Sequence, residues 1–121
     1  GGIIIGYEIG RILNIETIFV ERVNNSFQIR RGFEINVNHK ILVVEDVITT
    51  GKSSLECSSL AEKCGAQVVG YASLIDRTGG KSEIKKKIVS QVKLDISTFT
   101  ADNIPENLKK LKAVKPGSRN L

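Results

Sequence analysis

Apolar residues open the chain at helical spacing. In "IIIGYEIGRIL" (residues 3–13), Ile5, Ile9, Ile12 and Leu13 fall on one stripe, which predicts an amphipathic helix. "ETIFVE" (16–21) then reads as a short strand of β-branched and aromatic residues. Residues 22–34 are polar and turn-rich, with Asn24-Asn25-Ser26 at the tip of a hairpin, and "NVNHK" follows as a turn. "ILVVE" (41–45) is a continuous apolar run, as expected of a strand buried on both faces of a parallel sheet. From Ser53 to Cys64, the residues Cys57, Leu60, Ala61 and Cys64 repeat at i, i+3, i+4 and i+7, with Gly65 as the stop. "AQVVGYASLID" is a second buried-type strand and "TGGKS" a loop. Residues 83–88 suit a short helical turn, "QVKLDIST" (91–98) a third strand, and "PENLKKLKA" a short helix opened by Pro105. Strand, helix, strand, repeated, argues for an α/β fold with a parallel sheet and right-handed crossovers.

Composition narrows this picture. With 121 residues, 40% hydrophobic and 26% charged, the chain suits one globular domain. No apolar run approaches the roughly 18 residues that span a bilayer, so no membrane role is expected. The chain opens on Gly1-Gly2-Ile3 and contains no Met, which reads as a piece whose true start lies upstream. A net charge of +5 admits nucleic acid or an anionic small molecule as partner. The lysines gather at Lys85-Lys86-Lys87 and at Lys109, Lys110, Lys112 and Lys115, without interleaved aromatics, so a base-stacking platform is unsupported and no nucleic-acid partner is expected. Cys57 and Cys64, seven apart, fit neither a CxxC pair nor a local disulfide. They read as structural thiols in a reducing cytoplasm.

The chemistry concentrates in "ILVVEDVITTGKSS" (41–54). Its Gly-Lys-Ser ending suggests a nucleotide P-loop, but the position of the required first glycine holds Asp46, whose carboxylate would repel the phosphates. Another site fits better. A buried strand delivers Glu45 and Asp46 to the carboxyl edge of a parallel sheet, where such sheets place ligands. Thr49, Thr50, Gly51, Lys52 and Ser53 then form a polar loop opening into a helix, with N–H groups, hydroxyls and the positive end of the helix dipole available to one phosphate. Two carboxylates cannot share that cradle, but they suit an adjoining polyol or a hydrated Mg²⁺. A phosphate beside a vicinal diol describes a ribose 5-phosphate. A capping box, Ser53 with Glu56, is expected to open the helix.

The same run resembles the phosphoribosyl pyrophosphate (PRPP) motif of the type I phosphoribosyltransferases: four apolar residues, two acids, two apolar residues, then small hydroxyl residues around a glycine. "GGIIIGYEIGRIL", "IFVERVNNSFQIRRGFEI", "SLIDRTGG" and "VKPGSR" resemble the orotate-specific branch of that family from Gly1 to Arg119. The resemblance implies the Rossmann-like type I fold, a parallel sheet flanked by helices. It makes residues 1–121 the phosphoribosyltransferase core, lacking the family's N-terminal hood and most of its pyrophosphate loop.

Residue by residue, the resemblance implies that Glu45 and Asp46 bind the ribose hydroxyls, directly or through Mg²⁺. Val47 and Ile48 belong to the same PRPP motif, and Thr49, Thr50, Gly51, Lys52 and Ser53 hold the 5-phosphate. Thr49 and Arg77 contact orotate, Arg77 pairing with its carboxylate, as a planar guanidinium suits. Gly1 and Gly2 end the pyrophosphate loop, and Arg22 binds pyrophosphate. Asp46 and Arg22 carry the catalytic assignments. "RVNNSFQIRR" lacks the Lys and His of longer-loop members, leaving Arg22, Arg30 and Arg31, which are poor proton donors at neutral pH. The implied protein is a cytoplasmic homodimer using PRPP and orotate with Mg²⁺. A purine phosphoribosyltransferase would share the motif but needs an aromatic to stack on the base, which the region around Arg77 does not offer. A non-catalytic PRPP sensor would need a nucleic-acid surface, with lysines 85–87 its best candidate.

Overall fold

A computed structural model describes residues 1–97, 99–112 and 114. Helix α1 (Gly2–Leu13) is followed by a hairpin of β1 (Val20–Val23) and β2 (Ser26–Ile29). Then come β3 (Lys40–Ile48), α2 (Lys52–Lys63), β4 (Gln67–Asp76) and β5 (Ile88–Lys93). A 3-10 turn (Ala101–Asn103) and α3 (Glu106–Lys109) complete the described elements. β3, β4 and β5 form a parallel sheet in that order, leaving β3 at an edge among the described residues, and the hairpin is a separate antiparallel ribbon. The buried core is Val43, Ile48, Ala61, Ala66, Val68, Tyr71 and Ile84, lying chiefly between α2 and the sheet. Among the described residues no helix is long and apolar enough to cross a membrane.

The expected hairpin is present. Asn24 and Asn25 both take positive φ (48° and 64°), the conformation a two-residue type I′ loop requires and that Asn tolerates. Three expected boundaries move. Residues 16–19 are not strand, because Phe19 packs edge-on against Phe33, centroids 5.1 Å apart, and pairing begins only at Val20. The third strand runs from Ile88 rather than 91, since Tyr71 pairs with Ile88 and the β4 partner ends where Asp76 meets Lys93. The helical turn expected at 83–88 is absent: Lys87 gives its carbonyl to Tyr71 N–H, and Ile84 is buried against Gly51. Thr98, Ala113 and the "KPGSR" segment lie outside the described residues.

Helix α1 corrects the expected stripe. Ile12 and Leu13 are 71% and 58% exposed, whereas Gly6 and Gly10 are buried. Gly2, Gly6 and Gly10, four residues apart, turn a side-chain-free face toward β3 and Thr17. A Cβ at Gly2 would lie 2.6 Å from the Val44 carbonyl oxygen, so the helix backbone approaches the strand as only glycine permits. Apolar residues on nearly every other side left periodicity unable to choose this face.

Helix α2 also differs in detail. Its inward positions are Ser54, Leu55, Cys57, Ser58 and Ala61. Ser58 Oγ satisfies itself at the Ser54 carbonyl (2.9 Å) and the Tyr71 hydroxyl (2.6 Å). The capping box does not form: Gly51, at φ 80°, is the N-cap, no side-chain cap is made, and Glu56 is engaged elsewhere.

Glycines 6 and 10 should respond oppositely to a methyl group. At Gly10 the new Cβ would collide with the Thr17 side chain and sit 3.0 Å from the Ile15 carbonyl, so Gly10→Ala should cost about 1–3 kcal/mol. At Gly6 the nearest atom is 3.6 Å away, and the gain in helix propensity, up to about 1 kcal/mol, should leave Gly6→Ala neutral or stabilising. Urea unfolding of the two variants measures the contrast.

Candidate functional site

The pairing of β3 with β4 continues to Ile48 opposite Asp76, and Arg77 N–H then donates to the Ile48 carbonyl at 2.8 Å. Loop 49–53 and the start of loop 77–87 therefore leave the same carboxyl edge side by side, which brings Thr49 next to Arg77. Asp76 Oδ1 accepts Thr78 N–H (2.8 Å), and Thr78 Oγ1 accepts Gly80 N–H (3.1 Å), pinning the loop that carries Arg77. Among the described residues, Arg77 Nε is buried without a hydrogen-bond partner. A guanidinium so placed has donor capacity that the described residues do not use, and buried donors call for a partner.

The loop itself is open. Thr49, Thr50, Lys52 and Ser53 are exposed while Gly51 is buried, and Lys52 N–H reaches Thr50 Oγ1 at 3.3 Å. A Cβ on Gly51 would stand 2.9 Å from Ile84 Cδ1, so the positive φ and the close packing both call for glycine. The turn leads straight into α2, whose first N–H groups face outward over the loop.

Strand geometry separates the two acids. Neighbouring strand residues point to opposite faces, and Asp46 meets Gly1 at the mouth of α1, where a Cβ on Gly1 would collide with its carboxylate. Asp46 Oδ1 accepts Val47 N–H at 2.9 Å, leaving Oδ2 available. Glu45 turns to the α2 side, where its charge acts on Cys57. Burial raises the Glu45 carboxyl above its usual range, the Asp46 charge adds to this, and the Gly1 amino group offsets part of it. The Cys57 thiol is pushed up to about 11, by burial first and then by Glu45 and Glu56, which makes it unreactive. Cys64 is likewise a free thiol.

Gly1 and Gly2 are thus joined to the acidic strand, and Thr49 to Arg77. Arg22 is not joined to either group. It lies on β1, with Nη1 and Nη2 on the Glu56 carboxylate (3.1 and 2.7 Å), Nη1 also on the Asn25 carbonyl (2.7 Å), and its guanidinium 4.2 Å from the centre of the Phe27 ring. Arg31 pairs with Glu21 at 2.8 Å and Arg30 approaches it at 3.8 Å. The sequence reading missed the role of Glu56, since no local pattern links it to a residue 34 positions away. A cavity of 510 Å³ runs beside the free edge of β3, touching Gly2, Gly6, Gly10, Val44 and Glu45 but none of residues 49–53. It is a largely apolar gap under α1, and loop 49–53 stands outside it.

These features define a polar, exposed loop at the carboxyl edge of a parallel sheet with an acidic strand end beside it, and the chain belongs to the phosphoribosyl transferase domain family, whose pattern it matches over residues 8–109. Among relatives, it is 49% identical over its whole length to the orotate phosphoribosyltransferase of Methylorubrum populi, covering 62% of that protein. It is 41% identical to that of Maricaulis maris, again over the whole chain and 62% of the relative. The chain therefore spans about 62% of the length of the curated relatives it matches. Two solved structures share the fold. Adenine phosphoribosyltransferase from Thermoanaerobacter pseudethanolicus has a TM-score of 0.62 at 16% identity, over 77% of this chain and 64% of that one. The Rhodothermus marinus adenine enzyme has 0.57 at 20%, over 75% and 63%. The fold is thus the type I phosphoribosyltransferase fold expected from the motif.

Glu45 should destabilise the protein near neutral pH. A carboxyl whose folded pKa is raised binds its proton more readily in the folded state, so its favourable contribution is complete below the unfolded value and lost as pH rises through the folded one. Glu45→Gln, neutral throughout, should melt higher than the parent near neutral pH, with the advantage disappearing below about pH 4. Thermal melts across that range test the sign. An equal or lower melting temperature at neutral pH would contradict it.

Proposed function

We propose that this chain is the catalytic core of an orotate phosphoribosyltransferase, transferring the 5-phosphoribosyl group of PRPP to orotate to give orotidine 5′-monophosphate and pyrophosphate in pyrimidine synthesis. The observation that carries the proposal is the placement of Arg77, with its unpartnered buried Nε, beside Thr49 on the edge that also bears the anion loop. The relatives named above support the choice of orotate over a purine. So does the sequence "DRTGG", which offers a carboxylate-binding arginine and no aromatic for a purine ring.

In this reading the N–H groups and hydroxyls of Thr49 to Ser53 hold the 5-phosphate at the N-terminus of α2. Val47 and Ile48 carry the strand into that loop, and Asp46, with Glu45 behind it, faces the ribose hydroxyls. Gly1 and Gly2 leave room for the pyrophosphate next to Asp46, and Arg22 is the hairpin cation that joins it. Thr49 and Arg77 orient orotate through its carboxylate. Orotate N1 forms the bond to the anomeric carbon as the bond to pyrophosphate oxygen breaks, that bond's electron pair leaving with pyrophosphate and the N1 proton passing to water or to the departing pyrophosphate. No strong base is required, and the chain contributes mainly alignment and charge stabilisation.

Among the described residues there is no cluster of three or more His, Cys, Asp or Glu fit to hold a metal ion by itself. Asp46, with a free Oδ2, suits Mg²⁺ carried mainly by ligand oxygens and water, the usual state of that ion beside phosphates, with Glu45 on the other face adding negative charge nearby. Bound there, it would supply positive charge to the departing pyrophosphate. A cytoplasmic homodimer completes the proposal.

Calorimetry with PRPP and Mg²⁺ tests it. Binding should be measurable, Asp46→Asn should abolish it, and Arg77→Ala should spare PRPP binding while removing orotate binding. If PRPP binds equally well to the parent and to Asp46→Asn, the site assignment is wrong; if adenine replaces orotate as the acceptor, the specificity is wrong.

A further inference from the structure

The hairpin of β1 and β2 has only four residues per strand and, among the described residues, no third strand, which is marginal by itself in water. Something outside the ribbon must hold it. Its sequence offers little apolar surface for that purpose: of "SFQI", Phe27 and Ile29 alternate with polar residues, and only part of β2 contacts α2. The polar contacts converge on one side chain. The Glu56 carboxylate takes both guanidinium arms of Arg22 and also Phe27 N–H, at 3.2 Å. Arg22 and Phe27 face each other in the ladder. Phe27 N–H points out of the ladder, so Glu56 satisfies an edge donor and the opposing cation together. Arg22 lies over the Phe27 ring and closes the arrangement with the Asn25 carbonyl. The Arg22 guanidinium holds the Glu56 carboxyl below its usual range, with Phe27 N–H and then Lys52 acting in the same direction.

Glu56 is four residues beyond Lys52, about one helical turn from the loop that opens α2. One carboxylate thus ties the hairpin to the helix whose N-terminus forms the anion loop. It also neutralises the hairpin cation on that helix: Nη1 of Arg22 is shared between Asn25 and Glu56 and Nη2 is on Glu56, so an incoming anion finds only Nε–H and one Nη2–H and must share the guanidinium charge with Glu56.

We propose that Glu56 is a positioning residue that clasps the hairpin to α2 and keeps Arg22 engaged until a diphosphate-bearing ligand competes with the Glu56 carboxylate for it. The identity of that ligand rests on the proposed function; the clasp itself does not. Exchange of one charge-assisted bidentate partner for another involves no covalent step. It makes the order of the hairpin and the occupancy of the diphosphate position beside Arg22 depend on each other.

Two measurements on the chain, its Glu56→Gln variant and an Arg22→Ala control test this. In hydrogen exchange without ligand, amides of 26–29 should exchange faster in both variants than in the parent, and inorganic pyrophosphate should accelerate the Phe27 amide in the parent. In calorimetry, Glu56→Gln should bind inorganic pyrophosphate roughly two- to fivefold tighter than the parent, the span that an exposed ion pair carries, whereas Arg22→Ala should bind it more weakly. A merely structural Glu56 would leave pyrophosphate affinity unchanged or weaken it, and that outcome overturns the proposal, as do unaltered exchange at 26–29 or no binding of pyrophosphate to any form. Absence of PRPP binding with the exchange and pyrophosphate results intact would count against the proposed function alone.

Discussion

The register of β3 on β4 fixes the geometry of the carboxyl edge. Because Ile48 lies opposite Asp76 and Arg77 N–H closes the last bond to the Ile48 carbonyl, two loops that are far apart in sequence leave the sheet as neighbours. A one-residue slip would turn Ile48 and Val68, the most fully buried large side chains, to the wrong faces of their strands. The buried pattern that stabilises the core is therefore the same pattern that sets Thr49 beside Arg77. Asp76 reinforces this, since a buried carboxylate that accepts Thr78 N–H fixes where the second loop starts.

Helix α1 depends on a second close approach. Glycine at 2, 6 and 10 lets its backbone lie against β3, which puts Gly1 directly over Asp46. That face was not legible in the sequence, because a helix rich in isoleucine on nearly all sides gives periodicity no contrast and glycine scores as a breaker rather than as a contact surface. The parallel strands were legible, since "ILVVE" and "AQVVGYASLID" carry continuous apolar runs that little else explains, and so was the hairpin, where Asn24-Asn25 supplies the required positive φ. The strand starts at Val20 and Ile88 were not, because they are set by Phe33 and Tyr71, partners distant in sequence.

At the site the split was similar. The loop after β3 and the acids before it follow from local order of residues alone. The division of Glu45 and Asp46 between two faces follows once they are known to lie within the strand rather than beyond it. Arg77 beside Thr49 required the sheet register, and Glu56 required tertiary contact: a Ser-x-x-Glu spacing reads as a capping box until the arginine across the gap is known. Gly51, bound by its positive φ and by Ile84, took the N-cap position that the spacing assigned to Ser53.

The inner face of α2 shows how stability and site geometry meet. Beside Leu55, the residues that α2 turns to the core, Ser54, Cys57, Ser58 and Ala61, are small. Small side chains contribute less apolar burial than leucines would, and a half-buried Glu45 adds an unfavourable charge beneath the same helix. The Ser58–Tyr71 hydroxyl pair offsets part of this by satisfying two polar groups in the interior. A helix chosen for core stability alone would carry further large apolar residues beside Leu55 on that face. The small and polar inner face of α2 is thus held by the Ser58–Tyr71 pair and Leu55 rather than by a full apolar stripe, at the helix whose first turn opens the loop after β3.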